Sequence, residues 1–186
     1  MNQRRATLFV LWLIAMGVFL SGIHWGLPSR AVDPFLFGEH RVWSGQEIVQ
    51  LAGERDDSKM GADVDRNPAA RGSILNDTDQ QRAEIARRYR LFTYQPDEMI
   101  TMMSLASMKR GDFDPKLYQY GGLWIYPVGA MLKAASIFKW ITLTPSQAFY
   151  QDHPEEFGKF YVVARLYTVM WGLIGVWAIF RFTKST

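Results

Sequence analysis

The chain has 186 residues, no cysteine and a formal net charge of +3. That length suits one ordinary domain; the missing thiols exclude a disulfide framework and a thiolate metal site; and basic residues interleaved with acids exclude the basic stripe of a nucleic-acid binder. Nearly half the residues are apolar, yet the mean hydropathy is only −0.10, so long apolar runs must be balanced by a very polar segment.

Residues 7–27 (TLFVLWLIAMGVFLSGIHWGL) form the first apolar run. About 20 such residues cross a hydrocarbon core as a helix. Arg4 and Arg5 precede the run, and apart from His24 it holds no ionisable side chain. Its length, and the lack of a small-residue cleavage signal after it, favour an uncleaved anchor over a signal peptide. The basic flank places the N-terminus in the cytoplasm and Pro28 onward outside.

Residues 28–120 are too polar to enter lipid, and their acids slightly outnumber their bases. The stretch 53–79 has few large apolar residues and many turn formers, and reads as a loop. A short helix is predicted over 44–52, with Ile48, Val49 and Leu51 on one side. Another begins at Thr78, which has Gln81 at capping-box spacing. There Ile85, Tyr89 and Phe92 recur at helical spacing, a face for the membrane surface or the rest of the protein. Asp33, before Pro34, reads as a turn former.

Residues 121–143 (GGLWIYPVGAMLKAASIFKWITL) are long enough to span, though they contain Pro127, Lys133 and Lys139. Lys139 can snorkel near the helix end, whereas Lys133 needs a cavity or other helices around it. Residues 160–180 (FYVVARLYTVMWGLIGVWAIF) read as a third span, with Arg165 near its start and Gly172 and Gly175 allowing close helix packing. The expected fold is an all-α polytopic membrane protein of about three transmembrane helices plus a large polar outer loop with short helices. The expected divisions are an anchor at 1–27, an extracytoplasmic loop at 28–120 and two further spans at 121–186, in a cell's inner (plasma) membrane.

The sharpest cluster of chemistry is Tyr94-Gln95-Pro96-Asp97-Glu98-Met99. Pro96 fits the first turn of a helix, and acids there oppose the positive end of its dipole. The pair can therefore simply start a helix, or serve as a general base or metal ligand at the outer membrane face. The turn Gly111-Asp112-Phe113-Asp114-Pro115 follows, and then Tyr118 to Pro127 leads straight into the second span. His24 and His153 have no partners at a ligand spacing, so no zinc site is inferred.

This order resembles the amino-terminal part of the GT-C membrane glycosyltransferases, in particular the dolichyl-phosphate-mannose-protein mannosyltransferase-like group, glycosyltransferase family 39. Proteins of that group look alike in having a first span, an outer loop with an Asp-Glu pair, a turn, a Tyr-Pro element opening the second span and an Arg opening the third. Here these are Asp97-Glu98, the 111–115 turn, Tyr126-Pro127 and Arg165. The polar insert between Pro28 and Tyr94 is much longer than in compact members. The resemblance implies inverting transfer of a sugar from a polyprenyl-phosphate carrier at the outer membrane face. Asp97 would be the catalytic carboxylate, deprotonating the acceptor hydroxyl or helping to hold a divalent ion such as Mg or Mn, with Glu98 its neighbour in the site. Arg165 or Lys133 would meet the donor phosphate. Tyr120 and Tyr126 are candidate substrate contacts, although a place in the interfacial aromatic belt accounts for them equally. Partners would be the lipid-linked donor and membrane lipids, not nucleic acid. Family members are several times longer, so the 186 residues are expected to be an amino-terminal portion that acts with a further C-terminal membrane domain. The rival expectation is a non-catalytic scaffold or assembly subunit whose outer loop binds a partner.

Overall fold

The computed structural model describes residues 3–53, 79–108 and 111–183. Its elements are all helices: α1 (Gln3–Ser21), α2 (Asp33–Phe37), α3 (Gly45–Gly53), α4 (Asp79–Leu91), α5 (Pro96–Ser107), α6 (Gly122–Ile137), α7 (Gln147–Asp152) and α8 (Pro154–Phe182). No strand occurs among the described residues. Thr78, nearly all of the predicted 53–79 loop and Lys184 lie outside the described residues. The chain divides into two compact units that interleave in sequence: Met1–Leu27, Tyr94–Thr142 and Lys159–Thr186 form one, and Pro28–Thr93 with Leu143–Gly158 form the other.

The first unit holds the apolar helices. Among the described residues one helix is long and apolar enough to cross a membrane: α8, with 29 residues and a most apolar stretch of mean hydropathy 1.7. At ~1.5 Å per residue it is about 44 Å long. Pro154 occupies its first turn, with Glu155 and Glu156 against the positive dipole end. The other two expected spans are shorter than the sequence pattern predicts. The apolar helix at the N-terminus runs only over Ala6–Ser21. Residues 22–26 break into turns, and Gly26 takes a positive φ of 61° that a side chain would oppose. α6 has 16 residues, about 24 Å, against a hydrocarbon core of ~30 Å. It stops where Lys139 adopts a φ of 57°, which a helix cannot continue through. Among the described residues, then, one helix meets the length and apolarity of a span and one shorter apolar helix, Ala6–Ser21, accompanies it.

Packing in this unit follows the helical repeat. Ile125, Val128, Leu132 and Ala135 make the buried stripe of α6, while Leu123, Ile137 and Phe138 face outward. A Cβ on Gly129 would come within 2.8 Å of Leu105 Cδ2, so glycine lets α6 lie close on α5. On α8, Val163, Ala164 and Tyr167 are buried. The Tyr167 hydroxyl donates to Leu123 O at 2.6 Å, and its ring lies 5.4 Å from that of Trp124. The apolar side chains of α1, by contrast, are largely exposed.

The second unit is small and polar-cored. Phe37, Ile48 and Ala86 form its apolar centre, flanked by Leu36 and Trp43. Ser44 caps α3 and Glu47 reaches back: the Ser44 N–H and hydroxyl both donate to Glu47 Oε2 at 2.8 Å, and the Glu47 N–H donates to Ser44 Oγ at 3.4 Å. This is a capping box. These bonds, the backbone N–H of Ser44 foremost and then Arg41, push the Glu47 pKa down to about 2. Beside the apolar centre lies a buried charge pair. Arg90 Nε donates to Asp33 Oδ1 at 3.2 Å and Nη2 to Oδ2 at 2.7 Å, while Nη1 donates to the carbonyls of Trp43 and Gln151. Asp33 therefore does more than form a turn: it is the counter-charge that lets an arginine sit in this core.

Candidate functional site

α5 begins at Pro96, so Asp97 and Glu98 both stand in its first turn. Adjacent helical residues point about 100° apart, and the two carboxylates accordingly part company. Glu98 faces Arg165 of α8: Arg165 Nε donates to Oε1 at 2.8 Å and Nη2 to Oε2 at 2.9 Å, a two-point fork. Arg165 Nη1 turns to the end of α1 and donates to Ile23 O and Trp25 O at 2.8 Å each, and to Gly22 O at 3.4 Å. These carbonyls belong to the turns that follow α1, and this guanidinium gathers them. One side chain thus clasps the end of α1, the start of α5 and the body of α8. Of the five guanidinium N–H groups, one on Nη2 has no acceptor among the described residues.

A groove of about 660 Å³ adjoins the clasp. Val18 and Phe19 of α1 and Trp171 and Gly172 of α8 line its apolar length, and Glu98 and Arg165 form its polar end. Gly172 lets the Phe19 ring lie close against α8: a Cβ there would come within 2.7 Å of Phe19 Cε2.

Asp97 is exposed. It stands beside Tyr120, whose hydroxyl pKa is raised by desolvation first and then by the Asp97 charge and hydrogen bond. Of the two carboxylates it is Glu98 that takes Arg165, while Asp97 faces outward with Tyr120. Lys133 lies on the exposed side of α6 and makes no ion pair among the described residues. Tyr126 joins neither carboxylate; its hydroxyl donates to Phe113 O at 3.1 Å and closes the turn before α6. In that turn the Asp114 carboxylate accepts from the Lys116 N–H and the Tyr118 hydroxyl, which hold its pKa down.

Among the described residues no three His, Asp or Glu side chains converge on a metal position. Asp97 offers a single carboxylate, which suits an ion held mainly by phosphate oxygens and water. The backbone carbonyls of Gly22, Ile23 and Trp25 have no sequence signature, so this half of the clasp was beyond sequence reasoning. Comparison of the chain with protein-family models, with curated proteins and with solved structures finds no match.

Proposed function

We propose that the chain is the amino-terminal part of a multi-pass membrane glycosyltransferase, with α1, α6 and α8 in the bilayer and the N-terminus in the cytoplasm. It moves a sugar from a polyprenyl-phosphate carrier to an acceptor hydroxyl at the outer membrane face. The observation that carries this reading is the groove. It is apolar along Phe19 and Trp171 and ends at Arg165, a polarity that suits a lipid chain terminating in a phosphate. The remaining Nη2 proton of Arg165 is available to a phosphate oxygen, while Glu98 fixes the guanidinium and compensates its charge.

Asp97 is the base in this reading. Its carboxylate is exposed and unencumbered by an arginine. The acceptor oxygen attacks the anomeric carbon, the bond from that carbon to the phosphate oxygen breaks, the proton passes to Asp97, and the polyprenyl phosphate leaves. In the alternative role Asp97 would, with the phosphate oxygens, help to hold a divalent ion that neutralises the departing phosphate, in place of acting as the base. In the complete protein reconstituted in vesicles, Asp97→Asn is expected to lower transfer by about 10²–10⁴-fold, the usual cost of a lost general base. Wild-type transfer in both Asp97→Asn and Glu98→Gln would overturn the mechanism.

The scaffold reading also has an observation in its favour. Glu98 and the α1 carbonyls occupy most of Arg165, as a purely structural clasp requires. Absence of transfer from every polyprenyl-phosphate sugar offered to the wild-type protein would decide for it.

A further inference from the structure

α4 buries only part of its apolar surface. Its buried residues are Ala83, Ala86, Arg90 and Leu91. Two further large apolar side chains, Ile85 and Tyr89, are 41% and 37% exposed. They lie one turn apart, with Arg88 between them on the same exposed side. Of the arginines of this helix, Arg82, Arg87 and Arg90 have Asp79, Glu84 and Asp33 as counter-charges. Arg88 makes no ion pair among the described residues. On α2, the helix that packs on α4, Phe35 is 88% exposed.

We propose that the outer face of α4, Ile85 and Tyr89 with Arg88, rests in the headgroup region of an anionic membrane surface. A tyrosine and an aliphatic side chain beside an uncompensated cation is the composition of an interfacial helix. Anionic lipid supplies the counter-charge that no described residue gives Arg88. Connectivity holds this unit at a membrane: the chain passes between it and the unit of the apolar helices at 27/28, 93/94, 142/143 and 158/159. The proposal rests on α8 being in the bilayer, and the test separates the two claims.

Because the chain has no cysteine, single spin labels can be placed cleanly in the full chain reconstituted in vesicles of neutral lipid, with or without an added anionic lipid. Labels go at Ile85→Cys, at Gln50→Cys on the exposed side of α3, and at Ile174→Cys on α8. Collisions with oxygen and with a water-soluble nickel chelate report depth. Ile174 should read deep lipid and Gln50 water. Ile85 should read interfacial depth in anionic vesicles, with an immersed population about fivefold smaller in neutral vesicles or with Arg88→Gln, the weight of one basic residue at an anionic surface. A water-like reading at Ile85, or immobilisation there without preference for oxygen, as under a protein partner, overturns the proposal while Ile174 reads lipid. A water-like reading at Ile174 overturns the bilayer placement of α8 itself.

Discussion

Asp33→Asn isolates the most consequential charge in the polar unit. The Arg90 side chain is fully buried and that of Asp33 is 7% exposed, so solvent does little to screen the pair. The substitution keeps the shape and one acceptor but leaves a cation buried without its counter-charge. Removing one partner of a buried pair typically costs about 3–5 kcal/mol. Because α4, the Trp43 carbonyl and the Gln151 carbonyl all meet at the guanidinium, the loss should spread through the unit. Hydrogen exchange on the purified chain in detergent micelles reads it: the slowest α4 amides should lose about 10²–10⁴ in protection, at 1.36 kcal/mol per tenfold. Replacing both partners, Asp33→Leu with Arg90→Met, should recover most of that loss, since a buried pair and a well-packed apolar pair are often close in energy. A loss below ~1 kcal/mol in Asp33→Asn would place the pair with solvent-screened surface bridges and refute the reasoning.

Three further outcomes are expected. Gly45→Ala should destabilise the same unit by about 1–3 kcal/mol or more in denaturant unfolding, because its Cβ would stand 2.0 Å from the backbone oxygen of Ala148, which cannot swing aside; unchanged stability would mean that α3 and α7 are looser than they stand. Glu47 has its folded pKa depressed from 4.5 to about 2, so its contribution is fully present above its unfolded pKa and is lost as pH falls through the folded one. Exchange protection at the start of α3 should hold from neutral pH to about 4.5 and fall toward 2, and Glu47→Gln should abolish that dependence. Glu98→Gln removes a charge-assisted fork and should cost about 1.5–3 kcal/mol, read as increased exchange at residues 22–25, whereas Asp97→Asn should leave that exchange unchanged.

Composition and periodicity carried the helical class, and α8 falls over the run in which the sequence places its third span. The other two helices end at Ser21 and Ile137 although apolarity continues past both, because residues 22–26 turn and Lys139 takes a positive φ. The Asp97-Glu98 pair was legible as the start of a helix. Which carboxylate would meet Arg165 depends on the rotation of α5, which short-range sequence does not encode. On α4 periodicity left the role of the Ile85 and Tyr89 face open between the membrane surface and the rest of the protein; both side chains lie outside, while Ala83, Ala86, Arg90 and Leu91 are buried. The Asp33–Arg90 pair joins residues 57 apart in sequence, and no local motif announces such a partnership. The capping box at Ser44 and Glu47, by contrast, was there to be read in Ser44-Gly45-Gln46-Glu47.

The groove beside Arg165 is where the account is most exposed to test. The chain reconstituted in vesicles can be photolabelled with a polyprenyl phosphate carrying a diazirine near its head, and the modified peptides mapped. The account expects adducts on residues 18–23 and 168–172, competed by unlabelled polyprenyl phosphate and much less by the corresponding polyprenol. Adducts spread along the outward face of α6, or competition by the alcohol equal to that by the phosphate, would contradict a phosphate-terminated lipid in this groove.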